Sequence, residues 1–218
     1  MVAQSSKGIY GGRDPISIPA YTASEASRYL RIPSSTIRAW TSGVMYPGSP
    51  ARKAFRRVLV SDDPQGRFLS FANLTELFVL GSLRRIHGIS LSLVRKAIDH
   101  LKKSRGARRP LTDFQIMTDD INLFIEAYGQ LENISQSGQL EMRQVVGQYM
   151  KRIERDKIGA PVKLFPFTRK GHAFPDEPRK VEINPRVEFG RPCITGCGIP
   201  TREIADRFLA GESVVSLA

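Results

Sequence analysis

Between Thr22 and Gly43 the chain leaves room for two short helices and nothing longer. Thr22 followed three positions on by Glu25 is a capping-box pattern, in which each side chain takes up a backbone N–H that a helix start leaves without a partner. Ala23, Ala26, Tyr29 and Leu30 then share one helical face, and the periodicity lapses near Arg31. Pro33 interrupts, Ser34 is placed to cap a second start, and Thr36, Ile37 and Trp40 begin a helix that Gly43 stops. Two such helices separated by about four residues make a helix-turn-helix. Helices this short need an apolar ridge to hold their angle, so Leu30, Ile37, Trp40 and Leu77 are expected in the core.

The segments that follow extend the pattern. Pro47 to Pro50 is turn-like, and Phe55 to Val60 and Arg67 to Phe71 flank Asp62-Asp63-Pro64-Gln65-Gly66, which predicts a hairpin, or wing. Residues 72 to 86 carry Leu74, Leu77, Phe78, Leu80 and Leu83 at helical spacing. Gly88 and Ser90 restart a helix through Leu91, Val94, Ile98 and Leu101. Ser104 to Pro110 is expected to be a solvated linker, and the Gly- and Pro-punctuated first twenty residues an arm or lead-in strand.

Beyond residue 110 the signals change. Phe114, Ile116, Ile121, Leu123 and Ile125 predict two short strands around a Thr118-Asp119-Asp120 turn, and a helix is expected from about Gln139 to Lys157. Its apolar stripe is Leu140, Val145, Val146, Tyr149, Met150 and Ile153, and its polar face is Arg143, Gln144, Gln148, Lys151 and Arg152. An extended piece from Gly159 to Pro178 holds one strand at Val162 to Phe167. A last module has a strand at Val181 and Ile183, turns at Gly190-Arg191-Pro192 and Gly196-Cys197-Gly198, a helix from Arg202 to Leu209 capped by Thr201, and the start of another at Glu212. The expected fold class is α+β, mainly helical. Residues 1–20 form the arm, 21–104 a winged helix-turn-helix, 111–178 a strand-plus-helix dimerisation region, and 179–218 a small helical C-terminal domain.

The net charge of +12 is unevenly divided. Residues 1 to 110 hold 19 lysines and arginines against 6 aspartates and glutamates, whereas residues 111 to 218 hold 14 against 15. A basic half joined to a neutral half points to a polyanion-binding module fused to something with another partner, and nucleic acid is the commonest such polyanion. No apolar run approaches the roughly 20 residues of a membrane helix, and the N-terminus lacks the apolar core of a secretory signal. Two cysteines, Cys193 and Cys197, cannot staple a fold, so free thiols and a reducing cytoplasm are expected.

Tyr21-Thr22-Ala23-Ser24-Glu25-Ala26, then Leu30 and Ile32, then Thr36-Ile37-Arg38-Ala39-Trp40, then Gly88-Ile89-Ser90-Leu91 resemble the MerR-type winged helix-turn-helix over residues 20 to 103. The segment from Pro47 to Phe55 is longer than that pattern has between recognition helix and wing. Ile183-Asn184-Pro185, Phe189-Gly190-Arg191-Pro192 and Gly196-Cys197-Gly198-Ile199-Pro200-Thr201 resemble domain-of-unknown-function family 433, a small antitoxin-type domain; that family normally continues past the position of Ala218, so the domain is expected to be truncated here. The combination resembles the larger VapB-type antitoxins of bacteria. That resemblance implies a PIN-type ribonuclease toxin as partner, an enzyme with carboxylates clustered around a divalent metal, blocked by an arginine placed among them or by obstruction of access.

For the first module, Ser34, Ser35, Thr36 and Arg38 are short or guanidinium donors at the start of a helix suited to a major groove. Arg52, Lys53, Arg56, Arg57 and Arg67 are candidates for flanking phosphates, against the plainer reading of a solvated surface. Arg191 either fixes its turn through carbonyls or projects into an acidic site, and Arg202 and Arg207 are equal candidates for the toxin. Cys193, Cys197 and His172 fall short of the four ligands of a structural zinc site, so no metal or cofactor is expected. His87, His100 and His172 lack catalytic companions, and Asp119 with Asp120 suits a turn, so no enzyme is expected. The reading is an antitoxin that binds its own operator as a homodimer through half-sites and forms a heterotetramer or larger assembly with its toxin, off the membrane. The alternatives are a MerR-like effector-sensing regulator and a protein-only adaptor.

Overall fold

The computed structural model describes residues 10–45, 54–83, 90–106, 109–112, 125–126, 129, 135–169 and 177–217. The capping box forms as the sequence predicts. Thr22 Oγ1 accepts the Glu25 N–H at 3.2 Å, the Glu25 carboxylate accepts the Thr22 N–H at 2.8 Å, and helix α1 (Ala23–Leu30) follows. Arg31 ends it at φ 56° and donates to the carbonyls of Thr168 and Arg169. Helix α2 (Ser34–Ser42) has Pro33 at its N-cap and no side-chain cap, so Ser34 is the first helical residue and not the cap expected of it. Gly43, at φ +79°, stops α2 and donates to the Ala39 carbonyl.

The expected hairpin between Phe55–Val60 and Arg67–Phe71 does not form. Strand β1 (Tyr21–Thr22) pairs antiparallel with β4 (Phe68–Leu69), and β2 (Val44–Met45) pairs with β3 (Ala54–Phe55). Two hydrogen-bond commitments explain the change. The N–H groups of Val58 and Leu59 both go to the Trp40 carbonyl, at 2.7 and 3.0 Å, and satisfy the end of α2. The Asp63 carboxylate takes the N–H groups of Gln65, Arg67 and Phe68, which closes that loop on itself and holds the carboxyl below its ordinary range. The wing is the β2–β3 hairpin.

Helix α3 (Phe71–Leu83) is buried at every position, as a helix apolar around most of its circumference must be. Helix α4 (Leu91–Arg105), closed by Gly106 at φ +65°, buries Val94, Ala97, Ile98 and Leu101. The supposedly solvated linker after it supplies a structural ion. Arg109 donates to the carboxylates of both Asp62 and Glu76, while Asp62 also accepts from Ser70 Oγ and Asn73 holds the Val60 carbonyl at 2.8 Å. Glu76 is fully interior, and a buried carboxylate without a cation is costly.

Helix α5 (Gln136–Met150) ends well short of Lys157. Arg152, expected on a polar face, is buried instead: its Nε donates to the Phe165 carbonyl at 2.7 Å, its Nη1 to Glu177 at 2.8 Å, and its guanidinium lies 4.4 Å over the Phe167 ring. That turns the chain into strand β5 (Ile153–Arg155). The α5 stripe packs on α3 through Met142, Val146, Tyr149 and Met150, with the Tyr149 ring 4.7 Å from Phe78 and 5.0 Å from Phe167, and Leu140 is left exposed.

Strands β5, β6 (Pro161–Leu164), β7 (Val181–Ile183) and β8 (Pro192–Ile194) form one antiparallel sheet in that order. The C-terminal segment is therefore strand-bearing and shares its sheet with the middle region, and the expected strand to Phe167 stops at Leu164. Helices α6 (Thr201–Leu209) and α7 (Val214–Leu217) follow, with Pro200 and not Thr201 at the α6 N-cap. Ile125 and Glu126 are helical where a strand was expected; Phe114, Ile116, Ile121, Leu123, Asp119 and Asp120 lie outside the described residues, as do residues 1–9. The described part of the arm is packed, with Ile16 buried and the Tyr10 hydroxyl donating to the Pro185 carbonyl at 2.8 Å. One core runs from Ile16 through α3 and α5 to Ile183, and no described helix is long and apolar enough to cross a membrane.

Replacing Arg109 by Met leaves Asp62 and Glu76 facing each other without a cation, and the loss expected in urea unfolding is about 3–5 kcal/mol. Burial raises the Glu76 pKa to about 7 against the opposing Arg109 charge. The folded state therefore holds this proton more tightly than the unfolded one, so the stability it contributes is complete below about pH 4.5 and is lost as pH rises through about 7. The urea midpoint of the wild type should fall across that window, and Glu76→Gln should remove that component of the fall.

Candidate nucleic-acid interface

At 100° per residue α2 presents two sides. Ile37, Trp40 and Thr41 face the core, the Thr41 hydroxyl donating to the Ile37 carbonyl at 2.9 Å. Ser35, Arg38 and Ser42 are exposed along the opposite stripe, and Ser34 stands half-buried beside Arg38. Thr36 is the exception among the expected contacts. One turn before Trp40, it lines a cavity of about 190 Å³ with Trp40, Phe78 and Tyr149, and so turns away from the outward stripe.

The chain leaving β3 crosses the last turn of α2 so closely that a Cβ on Gly43 would lie 2.7 Å from the Phe55 carbonyl oxygen. This lays the exposed Arg56 and Arg57 beside Ser42. The Asp63 loop reaches the same place, with the Cβ position of Gly66 3.4 Å from Ser42 Oγ, and carries the exposed Arg67. Arg38, Arg56, Arg57 and Arg67 thus surround the C-terminal half of α2, with Arg38 open to solvent; Arg52 and Lys53 lie outside the described residues.

Two cations absent from the sequence reading join them. Arg95 and Lys102 of α4 line a cleft of about 430 Å³ with Ser42, Arg56 and Arg57. Arg95 Nε donates to the Arg57 carbonyl at 3.1 Å and Nη2 to that of Arg56, with the guanidinium 5.1 Å over the Phe55 ring. Their spacing of seven along α4 was the available signal, since it puts both on one face.

In the C-terminal segment, Gly190 sits at φ +79° where a Cβ would lie 2.0 Å from Tyr21 Oη, and Glu188 and Phe189 before it are also left-handed. The Gly-Arg-Pro turn is thereby seated on β1. Arg191 is exposed and donates no side-chain hydrogen bond among the described residues, so close packing of Gly190 on Tyr21 holds the turn in place of an arginine–carbonyl clasp. Arg202 pairs with Asp206 at 3.3 Å on α6, and Arg207 donates twice to Glu212 in the turn after that helix. Neither α6 nor α7 buries a residue. Phe208 is 55% exposed, Leu209 81% and Val215 88%, around an open groove of about 480 Å³ lined by Ile194, Ile204, Ala205, Phe208, Val214 and Leu217. Cys193 is buried and its thiol pKa is pushed up, mainly by that burial, which disfavours the thiolate a metal requires; His172 lies outside the described residues.

Residues 19–98 match the family model described as "Putative DNA-binding HTH domain", and residues 181–218 match that described as "Protein of unknown function (DUF433)". The chain is 26% identical to a Mycobacterium tuberculosis protein described as "Putative antitoxin VapB45", over 92% of this chain and 87% of that protein. Its fold is similar to the crystal structure of Rv2018 from the same organism, with a TM-score of 0.64 at 19% identity over 92% and 91% of the two chains. The resemblance to VapB-type antitoxins thus runs through the middle region as well as the two ends.

Gly190→Ala combines a left-handed φ with an overlap on Tyr21 Oη, and should cost about 2–4 kcal/mol in urea unfolding. In a Tyr21→Phe background the alanine should cost measurably less, a coupling that a double-mutant cycle reads directly.

Proposed function

We propose that this chain is the antitoxin of a type II toxin–antitoxin system, binding its own operator DNA as an autorepressor and neutralising a PIN-type ribonuclease toxin. The observation that carries the reading is the separation of two unlike surfaces: exposed arginines around the outward stripe of α2, and an uncovered apolar face on α6 and α7. The protein acts by binding and not by catalysis. The antitoxin name of the relative supports a toxin as the protein's partner.

Residues 21–104 serve as the DNA-reading unit, with Arg38, Ser35 and Ser34 toward base edges and Arg56, Arg57 and Arg67 toward phosphates. Residues 111–178 carry that unit, and residues 179–218 hold the toxin in the cytoplasm. Nine residues of α2 read too few base pairs alone, so a homodimer on half-sites about one helical turn apart is required, with a heterotetramer or larger assembly once toxin binds. Since α5 packs its stripe on α3, the contacts between copies come from elsewhere than that stripe. Arg202 and Arg207 are held by neighbouring carboxylates, which leaves Arg191 as the more available guanidinium for an acidic toxin site and favours obstruction through the apolar face over insertion of an α6 arginine.

Co-expression with the product of the adjacent reading frame, combined with band shifts on upstream DNA, tests the reading. The wild type should co-purify a protein whose ribonuclease activity appears only after the two are separated, and Phe208→Asp should abolish that co-purification while DNA affinity is kept. Arg38→Ala should weaken operator binding roughly tenfold while toxin is retained. Binding that hardly changes between 50 and 200 mM salt favours the protein-only adaptor. Retention of toxin by Phe208→Asp removes the apolar face from the mechanism.

A further inference from the structure

The cleft beside the last turn of α2 is more positive than the architecture needs. Arg56, Arg57, Arg95 and Lys102 line it, and Asp99 is the one acid among the described residues that do. The carbonyls that end α2 would ordinarily make this a negative pole. Here Gly43 donates to Ala39, and Val58 and Leu59 donate to Trp40, so two of those oxygens are already occupied. Arg95 likewise covers the carbonyls of Arg56 and Arg57. Donation to these two carbonyls uses its Nε and Nη2, and Nη1 makes no hydrogen bond among the described residues. Burial and the neighbouring Arg56 charge both push the Arg95 pKa down, with Asp99 opposing. A guanidinium crowded by a second guanidinium in a partly dry cleft is an arrangement that an anion relieves.

We propose that this cleft seats one phosphodiester of the duplex backbone, held by Arg57, Arg95 and Lys102, with Arg95 also fixing the direction in which Arg56 and Arg57 leave the main chain. The proposal rests on the DNA-binding reading above and adds α4 to its footprint. Position supports a backbone phosphate over a free one. The cleft adjoins the last turn of α2, through Ser42 and Gly43, so a duplex met by the outward stripe of that helix brings its backbone to the cleft.

Fluorescence anisotropy on the full chain, with an upstream duplex and an unrelated duplex of equal length, measures affinity from 50 to 200 mM salt. Lys102→Gln should weaken both duplexes about equally, roughly five- to tenfold, and lower the slope of log K against log salt by about one. Arg95→Gln should lower the slope further, because Arg56 and Arg57 lose their direction; a merely structural Arg95 would change the unfolding midpoint and leave the slope alone. Slopes unchanged in both variants, while Arg38→Ala still weakens the upstream duplex, overturn the phosphate seat and leave the DNA reading standing. If the wild type binds neither duplex, both fail as stated. In that case a thermal shift with inorganic phosphate that disappears in Lys102→Gln reassigns the cleft to a free phosphate group.

Discussion

Everything outside α3 is arranged around the fact that this helix has no solvent face. A helix buried on all sides cannot leave polar groups to water, so Asn73, Glu76 and the hydroxyls of Thr75 and Ser82 must be answered from within. The hydroxyls bond back to their own helix, to the carbonyls of Ala72 and Val79. Asn73 and Glu76 need partners from elsewhere. Asn73 receives the Asp62 N–H and holds the Val60 carbonyl, and Glu76 receives Arg109 from the chain just after α4. Because Arg109 also grips Asp62, one guanidinium ties the central helix to the loop that carries Arg67. The interior charge balance of α3 thereby sets the position of a surface cation some distance along the chain.

The same economy of hydrogen bonds builds the cationic surface. An α-helix ends with carbonyls that want donors. At the end of α2 those donors come from Val58 and Leu59, and the chain can supply them only by running across the helix terminus, which is what brings Arg56 and Arg57 there. The C-terminal segment is attached to this unit by contacts that are equally specific. Arg31 holds the carbonyls of Thr168 and Arg169, Tyr10 holds that of Pro185, and Gly190 gives Tyr21 the space its ring and hydroxyl occupy. A single core joins the two ends.

How far the sequence made this legible depends on the range of each interaction. The capping box of α1, the Gly43 and Gly106 stops, and the strand at Val181 to Ile183 are set by neighbours within a few residues, and they were readable. The wing was misassigned because an Asp63-centred turn looks like a hairpin tip, and its self-contained hydrogen bonds show only in three dimensions. Arg109 resembled a solvated arginine because the carboxylates that bury it lie 33 and 47 positions away. Arg152 fell on a polar face by periodicity, but two carbonyls and an aromatic ring drew it inward and ended α5 early. At the candidate site, Arg38, Arg56, Arg57 and Arg67 were legible from charge alone. Thr36 was not, because its orientation depends on Trp40 filling the core, and Arg95 was not, because its place beside α2 rests on the carbonyls of Arg56 and Arg57, 39 and 38 positions away.

The two surfaces differ in what they ask of the fold. The cationic one is set by main-chain hydrogen bonds: Val58 and Leu59 donate to the Trp40 carbonyl and Arg95 to that of Arg57, which fixes where Arg56 and Arg57 leave the backbone. The apolar one is the reverse. Helices α6 and α7 contribute no residue to the core, and their ion pairs, Arg202 with Asp206 and Arg207 with Glu212, are exposed and screened by salt. What holds them is contact between α6 and β8 and between α6 and α7. Burial of Phe208, Leu209, Val214 and Val215 is favourable by roughly 1.5–3 kcal/mol for each large side chain fully covered, so anything that covers this face stabilises these helices. Strand β8 connects them directly to the Gly190 turn, and that turn rests on Tyr21 at the entry to α1. The apolar face and the helix pair that presents Arg38 are thus joined by a continuous run of packed contacts.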